Sequence, residues 1–239
     1  HDINPELYEA KFGRRGFFHK ALLWLERQTF RAADVVISTN DTFKRIAMER
    51  GGKSTDDVFV VRSIPDMSRF KRVEPDAALR KGRKHLVGYV GIMGAQDGVD
   101  ILVKAAAELV KGRGRDDIHF AIVGSGTELE GLKKLASDLG VAEHITFTGF
   151  MTGAPLLTAF SSFDIGVIPD PKNIYNDRIS MNKVFEYMTL GIPFVQFDLV
   201  EGRNAAGDAA VYASNNDPHD LADKIADLLD ASARRAALA

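Results

Sequence analysis

The chain has 239 residues, 45% of them apolar and 27% charged, which is ordinary globular composition and enough for one large or two modest domains. A formal net charge of −2 supplies no overall field for nucleic acid or anionic lipid. Without cysteine there is no disulfide frame, no thiolate zinc site and no thiol nucleophile, which fits a reducing cytoplasm; no apolar run approaches the roughly 18 residues of a membrane span, and no signal peptide is visible.

The chain opens on His1-Asp2-Ile3-Asn4-Pro5 with no initiator Met, which reads as a piece processed or excised from something longer. Phe17 to Arg31 carries apolar residues on one helical face, with Arg and Lys interleaved. Asp34–Ser38 is a short buried strand, Thr42–Arg50 a helix and Val58–Val61 another strand. Arg62 to Gly82 contains two prolines and little periodicity, the pattern of a linker, and the domain boundary is expected near Arg72–Lys84.

Beyond the linker, strand and helix patterns alternate. Strands are expected at His85–Val90, His119–Val123, Ile145–Phe147, Ile165–Ile168, Phe194–Phe197 and, more weakly, Ala209–Tyr212. All are short and apolar, as strands buried on both faces are. Helices are expected at Val99–Lys111, Glu128–Leu139, Ala154–Ser161, Asn182–Leu190 and Leu221–Leu229. Such alternation means right-handed βαβ units, an α/β fold and a doubly wound parallel sheet covered on both faces. Ligands of such sheets bind beyond the carboxyl ends of the strands.

The most informative stretch is Ser180 to Gly191, a polar lead-in to an amphipathic helix closed by glycine. Lys183 and Glu186 are spaced i, i+3 and share a face near its start. They form either a surface ion pair or a site in which the helix N-terminus and Lys183 attract phosphate while Glu186 accepts sugar hydroxyls. Gly91-Ile92-Met93-Gly94 leads from a strand into a helix, either as a plain turn or as a loop that lets a diphosphate approach backbone N–H groups. Gly124-Ser125-Gly126 allows the same two readings, and Ser125 or Thr127 can cap the following helix.

Four segments carry a resemblance: Gly88–Asp100, Ala121–Leu132, Ile145–Met151 and the Lys-Val-Phe-Glu-Tyr-Met-x-x-Gly-Ile-Pro run from Lys183 to Pro193. In this order and spacing they resemble glycosyltransferase family 4, the "group 1" family of retaining enzymes with a GT-B fold, over most of residues 85–230. The resemblance implies two Rossmann-like domains. Residues 1–78 would be the truncated C-terminal part of the acceptor-side domain, and 79–239 the nucleotide-sugar donor domain. His1-Asp2 with Pro5-Glu6 is similar to a strand-end signature of the first domain. By this reading the enzyme's first hundred or so residues are absent, and the chain stops just after the 221–229 helix, before the family's long final helix.

The resemblance also implies the site. Glu186 would hold ribose hydroxyls, Lys183 would stabilise the diphosphate, and His1 would lie near the donor sugar. Gly91, Ile92, Gly94, Gly124, Ser125 and Gly126 would line the phosphate and nucleotide pocket. Gly149, Phe150 and Met151 would seat the base. Asn176, Asp177, Arg178 and Ser180 would reach the sugar or phosphates. Three positions depart from the family: Ile92 and Asp97 stand where most members carry Arg and Lys, and Arg178 stands where the first of two Glu residues eight positions apart is expected. Lys183 and Glu186 are expected at the exposed mouth of the pocket, and the histidines, His119 and His144 included, in surface or capping roles.

The expected activity is therefore transfer of a sugar from a nucleotide-diphosphate donor, UDP- or GDP-linked, to an acceptor hydroxyl with retention. No cofactor and no metal are expected, and the lack of Asp-x-Asp at Asp164–Gly166 speaks against the metal-dependent GT-A class. The acceptor would be a glycan or a lipid-linked one, as in cell-envelope polysaccharide synthesis. The basic aromatic stretch Lys11–Arg31 either packs on its own sheet or makes peripheral contact with the inner membrane face. This chain would be a donor-binding fragment with little activity of its own. Two alternatives remain: a GT-B-like nucleotide-sugar epimerase, and a non-catalytic nucleotide-sugar-binding module. A dinucleotide dehydrogenase is disfavoured, since Gly-x-Gly-x-x-Gly does not follow the first strand of the sheet.

Overall fold

A computed structural model describes residues 3–214 and 216–239. Its centre is a six-stranded, all-parallel sheet in the order β5-β4-β3-β6-β7-β8. The strands are β3 (His85–Val90), β4 (Ile118–Val123), β5 (Ile145–Gly149), β6 (Ile165–Ile168), β7 (Phe194–Phe197) and β8 (Ala210–Ala213). Five of them match the expected positions to within two residues; β8 is displaced by one. Every residue of β4, β6 and β7 is buried, the property that made these strands legible as continuous apolar runs.

Helices α4 (Val99–Ala107), α5 (Leu129–Asp138), α6 (Gly153–Ser162), α7 (Asn182–Thr189) and α9 (Pro218–Asp230) connect or follow the strands. The chain steps from β3 to β4 to β5 in one direction, then returns to β6 and continues to β7 and β8 in the other. Right-handed crossovers stepping in opposite directions lie on opposite faces, so both faces are covered. The sequence order reverses between β3 and β6, and this switch point opens a crevice at the carboxyl ends of those two strands.

Two paired glycines bring α6 and α7 onto the sheet. Gly88 on β3 lies opposite Gly166 on β6. A Cβ on Gly88 would meet the Phe163 ring at 2.1 Å, and one on Gly166 the Tyr187 ring at 2.5 Å. Tyr187, from α7, is fully buried, donates its hydroxyl to Gly88 O at 3.1 Å and stacks edge-on with Phe160 of α6. Helix α7 is thereby held over the switch point.

The N-terminal portion forms a separate two-stranded parallel sheet, β1 (Val36–Ser38) with β2 (Val58–Val60), flanked by α2 (Phe17–Ala32) and α3 (Asp41–Glu49). Helix α2 buries none of its residues; Phe17, Phe18 and Trp24 are exposed, as is Ile37 on β1. Three helices were not anticipated: α1 (Asn4–Phe12), α8 (Val200–Ala206) and α10 (Ser232–Leu238). The last of these corrects the expectation that the chain stops just after the 221–229 helix.

The expected linker is strapped to the large sheet. Arg72 donates to the carbonyls of Leu190 and Gly191, both at 2.6 Å, and Arg80 pairs with Asp164. The amides of Val73 and Asp76 donate to Ser161 and Ser162. His119 and His144, expected in surface or capping roles, are not at the surface but buried, and they tie strands together: His119 Nε2 lies 2.8 Å from Thr146 Oγ1, and His144 Nδ1 lies 3.1 Å from Ile118 O.

Candidate functional site

Four β-to-α loops converge at the carboxyl end of the sheet, each pinned to the next. Gly124 N donates to Gly149 O, joining the β4 and β5 loops. Met93 N donates to Ser125 O, joining the β3 and β4 loops. Asn176, buried in the β6–α7 loop, donates to Gln96 O of the β3 loop at 2.9 Å. The glycines permit this crowding: a Cβ on Gly124 would lie 1.8 Å from Gly91 O, and one on Gly126 would lie 2.3 Å from Met93 O.

Gly124 and Gly126 thus make room for the neighbouring loop. The amides of Gly91 and Met93 bond to Val123 O and Ser125 O, and Gly94 N donates to the Asp97 carboxylate at 2.9 Å. These donors are already used within the protein. Ile92 instead projects into solvent at 69% exposure, and Phe150 does so at 76%. Met151 is half-buried. Gly149 ends β5 at a bulge, with φ +80°. Neither Ser125 nor Thr127 caps α5, whose N-terminal position is Glu128 with no side-chain cap.

Lys183 and Glu186 do not form the surface ion pair that their spacing permits. Lys183 is 11% exposed and its Nζ lies 2.8 Å from Oδ2 of the buried Asp170, at the end of β6. The ammonium also sits over the Tyr89 ring, 4.8 Å from its centroid, and beside Gly91. The expected position at the exposed mouth is therefore corrected: Asp170, a residue the sequence reading passed over, draws Lys183 inward. Burial works to lower the Lys183 pKa, but Asp170, Tyr89 and Asp97 outweigh it and raise it, so the charge is permanent. Burial raises the Asp97 carboxyl, with Lys183 opposing. Asp97 thus takes its place in one cluster with Lys183, Asp170 and Tyr89.

Glu186 is half-buried, and burial raises its pKa against the pull of Lys183. With Asn182, Gly153, Leu156 and linker residues 63–66, 69 and 70 it lines a cavity of about 370 Å³. A second cavity of about 380 Å³ shares Ser63 and Asn182 with the first and is lined by Ser180, Tyr175 and Phe185. Glu186 and Ser180 thus face a cleft between α7 and the N-terminal portion, whose walls do not include Lys183. Asp177 accepts from Val200 N at 2.9 Å, turned toward α8. Arg178 is drawn toward α1, where its Nη1 meets Glu6 Oε1 at 2.5 Å. His1 lies outside the described residues. Among those residues no group of three or more His, Asp or Glu side chains is placed to hold a metal ion.

Known proteins resemble this chain. The family described as Glycosyl transferases group 1 matches residues 84–231, more than half of the chain. The alpha-D-kanosaminyltransferase of Streptomyces kanamyceticus is 28% identical over 217 residues, covering 87% of this chain and 54% of that protein. The GDP-mannose-dependent alpha-mannosyltransferase of Corynebacterium glutamicum is 33% identical over 141 residues, or 57% of this chain and 31% of that one. The chain thus spans about half the length or less of these curated relatives. Among solved structures, Anabaena HepE in complex with UDP superposes with a TM-score of 0.76 at 17% identity, covering 92% of this chain and 60% of that one. Sucrose-phosphate synthase from Thermosynechococcus elongatus gives 0.73 at 19% identity, covering 96% and 58%. The fold is accordingly the GT-B glycosyltransferase type expected from the sequence. With the doubly wound sheet, the α7 motif and the family match all falling on the same residues, the chain belongs to the group 1 glycosyl transferases.

Proposed function

We propose that this chain carries the donor-binding part of a retaining glycosyltransferase that moves a sugar from a nucleotide diphosphate to an acceptor hydroxyl. The observation that carries the reading is the placement of Lys183 and Glu186 on one helix, Lys183 beside Gly91 at the switch point and Glu186 one turn further on, lining the cleft toward the N-terminal portion. Residues 79–239 would form the donor domain and 1–78 part of the acceptor domain. Lys183, permanently charged beside Gly91, supplies the positive field for the diphosphate leaving group. Glu186, in the cleft with Gly153, accepts ribose hydroxyls. Gly149, Phe150 and Met151 contact the base, and Asn182 and Ser180 face the sugar side. UDP and GDP are the donors favoured: HepE binds UDP, and the corynebacterial relative is GDP-mannose-dependent. No metal or organic cofactor enters the reaction.

The acceptor is a glycan or a lipid-linked hydroxyl, and the enzyme works in the cytoplasm, at the inner membrane face, in cell-envelope synthesis. Support for the membrane side comes from α2, whose Phe17, Phe18 and Trp24 are exposed next to Lys20 and Arg27. Among the described residues no helix is long and apolar enough to cross a membrane.

Calorimetric titration of the chain with UDP, GDP and ADP tests the reading. Saturable binding of one diphosphate, lost in Glu186→Gln and in the paired variant Lys183→Met/Asp170→Asn, supports it. Binding of none, or binding untouched by both variants, overturns it.

A further inference from the structure

The β6–α7 loop is fastened from outside its own sheet. Arg178 lies on it eight positions before Glu186. Its Nη1 donates to Oε1 of Glu6 at 2.5 Å, and the same oxygen accepts from Arg50 Nη1 at 2.7 Å. Arg50 continues to Glu26 Oε2 at 2.9 Å. Two carboxylates and two guanidiniums thus alternate, with no net charge. Glu6 is only 4% exposed, in the first turn of α1, where the helix dipole also favours a carboxylate. A second fastening holds the backbone: the fully buried Asn40 donates from Nδ2 to Arg178 O at 3.0 Å and Ser180 Oγ at 3.3 Å. Asn40 also caps α3 through Phe43 N, so it cannot swing away without unfastening that helix. Helix α1 packs in addition on the Ala95–Asp97 turn of the β3 loop.

From this we infer that Glu6 is a positioning residue for the donor site: through Arg178 it holds the β6–α7 loop in place, while α1 rests on the β3 loop across the switch point. The inference builds on the donor-site reading above. A carboxylate nine-tenths buried between two guanidiniums is costly to lose, because both cations are then left without their shared acceptor. The loop it holds carries Asn176, Asp177 and Ser180 and leads directly into the turn bearing Lys183 and Glu186. Arg178 stands where the resemblance implies a Glu, and it faces α1 instead, tying the N-terminal portion to the donor loops.

The test uses the full chain and the variants Glu6→Gln, Arg178→Met, Arg178→Lys and Glu6→Gln/Arg178→Met. Glu6→Gln is nearly isosteric: it removes the charge and puts an NH2 donor in place of one carboxylate oxygen. Two quantities are measured: amide hydrogen exchange over residues 173–180, and the calorimetric dissociation constants for UDP and GDP. We expect Glu6→Gln and Arg178→Met each to speed exchange in 173–180, with β8 and α9 unchanged, and to weaken diphosphate binding about tenfold. The double variant should be no worse than either single one, and Arg178→Lys, which keeps one charged donor, should stay within about threefold of the parent. Unchanged exchange in Glu6→Gln, or single effects that simply add, would overturn the inference. If the parent binds neither UDP nor GDP, the donor reading fails, and the exchange data alone decide whether Glu6 holds the loop.

Discussion

The ammonium of Lys183 and the carboxylate of Asp170 lie 2.8 Å apart, with Asp170 almost wholly buried at the end of β6. The lysine that sequence reasoning assigned to a ligand is therefore also half of an internal ion pair. Any ligand charge it stabilises is felt against that partner.

Removing Lys183 alone should be structurally expensive. Lys183→Met leaves Asp170 buried without a cation, a loss of about 3–5 kcal/mol. Adding Asp170→Asn should recover most of it. Urea denaturation of the two single variants and the double variant measures the coupling; additive losses would show that the pair is not a unit.

Gly124 and Gly149 should respond differently to alanine. At Gly124 (φ +135°) a Cβ would lie 1.8 Å from the Gly91 carbonyl oxygen, backbone that cannot move aside, so Gly124→Ala should cost about 3 kcal/mol or more. At Gly149 (φ +80°) nothing lies within 4 Å, and only backbone strain of about 1–2 kcal/mol remains. Thermal melting of the two variants side by side gives the comparison.

Arg72 should act as a clip on α7. Its guanidinium satisfies two carbonyls at the helix's end, a common role for a cation there. Arg72→Ala should lower stability by about 1–2 kcal/mol and speed proteolytic cutting between residues 62 and 76. Unchanged cutting would mean that the bonds of Val73 and Asp76 to Ser161 and Ser162 suffice.

His119 should make stability fall on mild acidification. Burial, with help from Arg83, His144 and Lys81, pulls its pKa down to about 4, from an ordinary value of 6.5. The unfolded chain therefore binds the proton first as pH drops. The contribution is complete above pH 6.5, declines between pH 6.5 and about 4, and levels off below, amounting to at most about 3 kcal/mol. Denaturant midpoints from pH 7 to 4 should show a shallower slope in His119→Gln than in the parent.

Much of the fold was legible because burial on both faces leaves an unmistakable mark. β4, β6 and β7 are apolar at every position or nearly so, and the glycine-closed helix before Ile192-Pro193 marks α7 by itself. Helix α1 was not legible, since Asn4–Phe12 has no amphipathic period and owes its place to Glu6. Nor was α8, a seven-residue helix containing glycine and held by Asp177 and Thr42. For the site, the three loop motifs and the Lys183–Glu186 spacing on α7 could be read directly.

What the sequence determined alone is the alternation that makes a doubly wound parallel sheet, and the family motifs along its loops. Those are local patterns of apolar spacing, glycine and charge, and they need no partner to be seen. The inward turn of Lys183 to Asp170, the engagement of the glycine-loop amides by neighbouring loops, and the bonds of Arg178 to Glu6 and of Asn40 to the same loop were decided only by tertiary structure. Each depends on which of several available charges or donors the folded chain brings within about 3 Å, and a hydrogen bond or ion pair acts only at that range. Arg178 could have met a sugar, a phosphate or solvent; the docking of α1 across the switch point gives it Glu6 instead.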